Sequence, residues 1–599
     1  MKLFDKNLEL LRISQPFLAR RVEQEPAQKS VRVVVSKDGY PIPQIGSTSL
    51  HSNYHPLKEA TDAISTFKVS DQQSPVVYGL GFGYHILEIL KRARDKEILV
   101  IEPLMPIFQA FMSSVDLEPF IPNTKFIVAT SPPKILASNQ SKNWNVYEHI
   151  PSKRISGSYF KCLNLARKTS TYLNTNRLKV LVVNPYYGGS LPTAKYCMQA
   201  LNDMGHQAES VECEKFAEGF FSINKITRNK TNAEAISNQF AHFMGQLIAA
   251  RAVDFQPDMI LALAQAPLTP EAIKNLKLLD IPVAFWFVED FRVLTYWKEI
   301  ASSYDYFFAI QRGQFFEELE SVGVKNPYYL PQACLPIVHK KVKLLPEEIK
   351  QYSTDVSFMG AGYFNRFQSF PRLLNHNFKI WGTEWALDSP LGSRVQNKNV
   401  RINSDDIVKI YNGGKINLNL HSSAFHEGVN PEGDFVNPRT FEISACGGFQ
   451  LVDERSELAE LMTLGQEVAT FSSIDDLCIK VDYYLNHEDE AKTIAACGKI
   501  RVLKEHTIQH RMHEMLIHIF TDSLDKLKER MNDKYRDPAS YCIDYVGSFT
   551  ELGKYLEQFC GTKDFSIKTM VDHIGKGEGD LSKEELLILM TDQLVKSES

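Results

Sequence analysis

The sequence has little of what would announce a specialised class. None of its nine cysteines sits at CxxC spacing with another, and the number is odd. That argues against a disulfide framework or a zinc ribbon and fits free thiols in a reducing, cytoplasmic setting. No window of 18 apolar residues occurs, so no transmembrane helix is expected. The start, MKLFDKNLELLRISQPFLARR, breaks its apolar residues with acids and bases and lacks the h-region of a signal peptide. Positive charge is in short supply too: 67 Lys and Arg against 72 Asp and Glu give a net charge of −5 and a pI of about 6.4. No global basic field favours nucleic acid. There is no repeat with a period of 20–50 residues and no long low-complexity tract.

What is present is ordinary globular composition, 44% hydrophobic and 23% charged over 599 residues, enough for three or four domains. VRVVVSKDGYPI reads as a hairpin turning at Asp38-Gly39. PVVYGL, a glycine loop, YHILEILKRAR and EILVIE then follow as one β-α-β unit. After the strand KFIVAT, the polar sequence up to NTNR reads as helical. A second series begins at KVLVVNP and continues through DMILALA, IPVAFWFV and DYFFAIQ. A third begins at DVSFMGAG and continues through FKIWG, KINLNLH and GFQLVDE. Continuous apolar runs alternating with helical segments indicate parallel strands covered on both faces. The expected fold class is α/β, with an N-terminal Rossmann-like domain at 1–176, two doubly wound halves at 177–340 and 341–520, and a helical tail at 521–599. In the tail, Ser582 and Glu585 have capping-box spacing ahead of a broad apolar face, Leu586 to Met590, to be buried within the chain or by a partner.

Both halves open with a strand followed by glycines: Gly188 and Gly189 in the first, Gly360 and Gly362, then Arg366, in the second. Such glycines let a phosphate or sugar approach the backbone, or simply make a tight turn. A third loop, GLGFGYH, has Gly79, Gly81 and Gly83, with Glu102 ending the next strand where an acid would bind ribose hydroxyls. It reads as a second nucleotide site or as a structural Rossmann-like turn.

The stretch NPRTFEISACGGFQLVDE puts Glu442 at the opening of a short helix that the glycines close. A carboxylate near a helix N-terminus is favoured by the dipole and can accept two hydroxyl hydrogen bonds, the demand of a ribose diol. DVSFMGAGYFNR, KIWGTEW, IYNGGKINLNLH, NPRTFEISACGGFQLVDE, GQEVATFSSIDDL, RVLKEHTIQHRM and, further upstream, FWFVEDFR occur in an order that resembles the GT-B glycosyltransferases. More narrowly the sequence resembles the CgeB (spore maturation protein) group. The resemblance covers about residues 178–520 and implies two Rossmann-like halves facing a cleft, the nucleotide-sugar donor on the second and the acceptor on the first. It also implies that Glu442 holds the ribose, as the second acid of an acid–seven–acid motif whose first acid is here Asp434. Asn437 and Arg439 match the group's Asn-x-Arg pattern, and Arg439 and Arg366 are expected to neutralise the diphosphate. His421 ends a strand, either facing the same cleft or serving as an ordinary strand-end histidine. Residues 79–103 resemble the N-terminal region of Maf-like, motility-associated proteins linked to flagellin glycosylation.

The expected function is therefore sugar transfer from a nucleotide sugar to an acceptor such as flagellin, another surface protein or a surface glycan. No convincing DxD motif is present, so metal independence and no cofactor are expected. For an inverting reaction the base is expected at Glu289 or Asp290, just past the strand AFWFV. The same two acids also fit a solvated turn. Two alternatives are a methyltransferase using S-adenosylmethionine at 79–102 and a non-catalytic scaffold.

Overall fold

The computed structural model describes residues 2–26, 30–69, 72–93, 96–139, 143–430, 432–531, 537–562, 565–577 and 579–598. The chain divides into two compact units, one of residues 1–167 and 336–510, the other of residues 168–335 and 511–599.

In the first unit the hairpin forms as expected, Arg32–Val35 pairing antiparallel with Pro41–Ile45. Gly39 turns it in the left-handed region at φ 85°, where a side chain would be strained. A four-stranded parallel sheet follows in the order Thr124–Val128, Ile98–Glu102, Ser74–Tyr78, Trp144–Glu148. Between Ser74 at the start of one and Glu102 at the end of the other, the central strands are apolar and buried, because helices cover them. Trp144–Glu148 corrects the expectation that this region is helical. Its half-buried edge strand, WNVYE, mixes polar and apolar residues and gives no continuous apolar signal.

A separate five-stranded parallel sheet in this unit runs Phe378–Trp381, Thr354–Met359, Gly414–Asn419, Gln450–Asp453, Ala469–Phe471. The strand order reverses between Thr354–Met359 and Gly414–Asn419. At such a switch point the loops leaving the two strands diverge and open a crevice at their C-terminal ends.

The second unit holds a six-stranded parallel sheet in the order Pro327–Tyr329, Tyr306–Ala309, Val283–Phe287, Met259–Leu263, Lys179–Val183, Gln207–Val211. Its switch point lies between Met259–Leu263 and Lys179–Val183. The expectation of distinct doubly wound sheets in 179–335 and 355–520 holds, since no strand is shared between them. The tail is helical and groups with the second unit: Arg511 donates to the carbonyls of Pro331 and Gln332. The Ser582–Glu585 capping box forms reciprocally, at 3.2 and 2.7 Å. The helix it starts buries Ile588 but leaves Leu586, Leu587 and Met590 exposed. Among the described residues no helix is long and apolar enough to cross a membrane.

Candidate functional site

At the switch point of the five-stranded sheet, the strand Gly414–Asn419 carries two asparagines into a dry interior, Asn417 2% and Asn419 0% exposed. Buried amides must find partners. Asn417 donates to the carbonyls of Tyr411 and Phe449 and accepts from the Ser357 hydroxyl. A Cβ on Gly448 would stand 2.8 Å from the Asn417 amide nitrogen, so the second glycine of the Gly-Gly pair is required by close approach. The first, Gly447, caps the helix Arg439–Cys446 at φ 72°. Asn419 donates to Thr440 Oγ1 at 2.9 Å and accepts from Asn437 Nδ2 at 2.8 Å and Arg439 Nε at 3.4 Å. One buried amide thus sets the first turn of the helix, which begins three residues ahead of Glu442.

His421 is fully buried. Its Nε2 accepts the Asn437 backbone N–H at 2.9 Å, so Nδ1 carries the proton and donates to Asp453 at 2.6 Å. Burial pushes its pKa down to about 4, against the pull of Asp453. With both nitrogens engaged, His421 positions the chain at Asn437 and has no free edge for a ligand. Asp453 would be raised by burial, but His421 and Arg455 overcome this and hold it below the usual carboxylate range.

Arg366 also departs from expectation. It is 1% exposed, and its guanidinium donates from Nε and Nη2 to Leu420 O and from Nη1 to Ala361 O. All three nitrogens are used in clamping the glycine loop, so the side chain does not present itself to a diphosphate. Gly360 and Gly362 permit the clamp: Cβ atoms there would stand 2.8 Å from Arg439 Nη1 and 2.5 Å from Glu384 O.

Arg439 is different. It is half-buried, spends Nη1 on Met359 O at 3.2 Å, and has no hydrogen bond from Nη2 among the described residues. Glu442, with 11% of its side chain exposed, accepts from Tyr411 Oη at 3.3 Å and lies 3.6 Å from His339 Nε2. Burial holds His339 below its ordinary pKa although Glu442 pulls it up. Sequence reasoning missed Arg455. Its side chain is 1% exposed, Nε donates to Asp453 Oδ2 at 3.0 Å, and Nη2 is buried without a partner. Gly433 lies directly against it; a Cβ there would stand 2.0 Å from Nη1. The signal available was the lone basic residue after the strand QLVD. Asp434 is half-exposed in the same loop.

In the second unit, Gly188 takes φ 96° and Gly189 begins the helix Ser190–Asp203. Ser190 donates to Glu289 Oε1 at 2.6 Å. Burial raises the Glu289 pKa, the Ser190 bond opposes this, and Asp290 adds to it. Asp290 instead accepts from the Arg292 backbone N–H at 3.0 Å and from Gln311 at 3.4 Å, holding the turn. Of the two expected bases, Asp290 spends Oδ1 on the turn, whereas Glu289 spends Oε1 on Ser190 and is the one whose pKa burial raises.

The N-terminal loop Gly79, Gly81, Gly83 lies at the end of Ser74–Tyr78, beside His149 at the end of Trp144–Glu148. Side chains fill the space where a phosphate would approach. A Cβ on Gly79 would stand 2.2 Å from Ser152, one on Gly81 2.5 Å from His51 Nε2, and one on Gly83 2.8 Å from Phe120. Phe82 N–H donates to His51 Nε2, and His85 Nε2 donates to Gly79 O. Glu102 accepts from the Leu80 and Leu104 backbone amides, so its two oxygens hold the loop instead of a ribose. Burial nonetheless pushes its pKa up to about 7. The second nucleotide site is corrected accordingly: these four residues form a plugged turn. His51, His85 and His149 bring ring nitrogens within 4.8 Å of one another, but His85 and His149 stack at 4.2 Å with planes 7° apart. Stacked rings cannot both direct in-plane lone pairs at one metal ion.

Residues 366–517 match a family model described as glycosyl transferase-like. The spore protein CgeB of Bacillus subtilis (strain 168) is 26% identical over 256 residues, 41% of this chain and 77% of that protein. Among solved structures, a glycosyltransferase from Rickettsia africae shares 13% identity at TM-score 0.40, covering 60% of this chain and 100% of that one. HepE of Anabaena, in complex with UDP and glucose, shares 10% at TM-score 0.39, covering 58% and 100%. Sucrose-phosphate synthase from Thermosynechococcus elongatus shares 11% at TM-score 0.38, covering 59% and 100%.

Two outcomes are expected. Arg366→Lys, which cannot fork across two carbonyls, lowers unfolding free energy by about 2–4 kcal/mol, whereas Arg439→Lys changes it by less than about 1 kcal/mol. Denaturant titration of both variants checks this; equal losses would refute the division of labour. Second, burial depresses the pKa of His51 and His149, and of His85 to about 4. The unfolded state then binds more protons below the unperturbed value near 6.5, so stability falls as pH drops from 6.5 toward 4, by at most about 1.4 kcal/mol per pH unit per histidine. His85→Gln should flatten that slope between pH 7 and 5, measured by denaturation midpoints. An unchanged slope would remove His85 from the effect.

Proposed function

We infer that the protein is a glycosyltransferase that moves a sugar from a nucleotide-sugar donor to an acceptor, with the donor held at the switch point of the five-stranded sheet. The observation that carries this is a surplus of positive charge in a built site. Arg366, Arg439 and Arg455 lie within electrostatic reach of one another around Asp453. The three guanidinium groups share the one buried carboxylate of Asp453. An anion answers that surplus, and the Nη2 groups of Arg439 and Arg455 are the donors left for it. The glycosyl transferase-like match over 366–517 supports the same reading.

In this proposal Glu442 accepts the ribose hydroxyls, since its carboxylate has acceptor capacity left beyond Tyr411. The bond between the sugar's anomeric carbon and the diphosphate oxygen breaks, and the electron pair leaves with the diphosphate. The charge that develops there is met by arginine, so no metal is needed for that step. For an inverting reaction, the acceptor hydroxyl gives its proton to Glu289, whose raised pKa suits it to the role, while its oxygen bonds to the anomeric carbon. The resemblance of the N-terminal region to flagellin-glycosylation proteins supports a surface protein or its glycan as acceptor. The plugged loop at 79–83 weighs against the methyltransferase alternative.

Glu442→Gln should weaken nucleotide-sugar binding by about 1–3 kcal/mol, the scale of a charged hydrogen bond, with little change in thermal stability. Calorimetry against a panel of nucleotide sugars reads this out, and undiminished affinity for every one bound by wild type would sink the ribose assignment. Released nucleoside diphosphate should be the same with and without EDTA; abolition by EDTA, restored by a divalent cation, would overturn the metal-free step.

A further inference from the structure

The second unit carries a surface that its own folding does not account for. Two helices, Ala217–Ile226 and Lys230–Phe255, are joined by a turn at Thr227, Arg228 and Asn229. Over residues 224–232 every side chain but the half-buried Thr227 is exposed, so the turn protrudes. Residues 219–233 hold three bases, Lys225, Arg228 and Lys230, and no acid. In a chain of net charge −5 this is a local reversal of sign. Among the described residues none of the three is held in an ion pair. Lys225 lies in the last turn of the first helix, where the dipole favours a cation. Arg228 and Lys230 flank the start of the second, whose first turn has no acid. There the dipole opposes them, and their charge costs stability unless an anion answers it.

Apolar side chains stand among these bases. Ile226, between Lys225 and Arg228, is 83% exposed. Phe221, one turn before Lys225 on the same face, is 38% exposed and meets Tyr187, 44% exposed, edge to face at 4.7 Å. The inner face of this helix is already packed: Ile223 is buried, and Phe220 stacks on Tyr186 at 4.7 Å. The exposed residues are therefore not part of an unfinished core.

We propose that the turn at residues 224–232 docks the protein on the anionic surface of a lipid bilayer, as a peripheral contact. Headgroup phosphates would neutralise the three bases, Ile226 would enter the acyl boundary, and the Phe221 and Tyr187 rings would lie at the headgroup level. A fluid surface adapts to a protruding tip, whereas a folded acidic protein would need a hollow that matches it. The nearest acids along the chain, Glu218 and Glu234, stand outside the charged stretch. The proposal is independent of the transferase reading, and neither falls with the other.

The test uses the full chain and phosphatidylcholine vesicles with and without phosphatidylglycerol, read by co-sedimentation. Wild type should pellet with the anionic vesicles and not with the neutral ones, and added salt should release it. Lys225→Glu, Arg228→Glu and Lys230→Glu together should lower the partition coefficient at least about tenfold. Ile226→Ser, which keeps the charge, should lower it about threefold or more. Every substituted position is exposed, so the melting temperature should hold in both variants. Failure of wild type to pellet with anionic vesicles, or equal pelleting of wild type and the triple variant, overturns the proposal. Capture by immobilised polyglutamate without vesicle binding, unchanged by Ile226→Ser, would assign the patch to an acidic protein instead.

Discussion

The five-stranded sheet depends on one constraint: polar side chains sent into a dry interior must all be paired there. Asn417, Asn419 and His421 alternate with apolar residues along one strand and its exit, on the face where solvent cannot help. Each then dictates a neighbour. Asn417 forces a glycine at 448, Asn419 fixes the start of the helix carrying Arg439 and Glu442, and His421 pins the backbone at Asn437. Half-satisfied, such a network would be worse than an apolar core; complete, it locks the helix start to one geometry. The precise placement of Arg439 and Glu442 follows from buried groups whose own hydrogen bonds are already used.

The three sheets leave their switch points in three different chemical states. In the four-stranded sheet, imidazoles and Ser152 occupy the glycine loop and every approach to its backbone is closed. In the five-stranded sheet, glycines admit close approach and arginines supply charge. In the six-stranded sheet, Glu289 holds the start of the helix after the glycines through Ser190. The same strand–glycine–helix architecture therefore carries no function by itself; the residues that fill or leave open its crevice decide.

Much of this was legible in the sequence, because continuous apolar runs and glycine punctuation are local signals. The apolar strands KVLVVNP, DMILALA, IPVAFWFV, DYFFAIQ, DVSFMGAG, FKIWG, KINLNLH and GFQLVDE, the hairpin at Asp38-Gly39 and the helix closed by Gly447 all read directly, whereas the short edge strands Gln207–Val211 and Pro327–Tyr329 did not. What was not legible depends on distance. His51 and His149 lie far along the chain from the loop they plug, and no spacing rule connects them. Trp144–Glu148 is an edge strand whose mixed pattern yields to pairing with Ser74–Tyr78. Arg366 looked like an anion-binding residue because arginine after a glycine loop serves either purpose. Only the carbonyls of Leu420 and Ala361 tell them apart.

That ambiguity points to a physical division of labour. A guanidinium with all its donors committed to backbone carbonyls is rigid and cannot follow a charge that appears during a reaction. One with no fixed partners is mobile and loses much of its contribution to immobilisation. Arg439 and Arg455 stand between these limits, each held by Nε and keeping Nη2 unspent. Held there, their charges repel one another and Arg366, a strain that Asp453 offsets only in part. Preorganised donors of this kind act at the moment charge develops, without reorganising first. The network beneath them can tolerate the repulsion because its own hydrogen bonds are complete. A stable, neutral scaffold of asparagine, histidine and threonine is what lets a charged, incompletely satisfied layer exist above it.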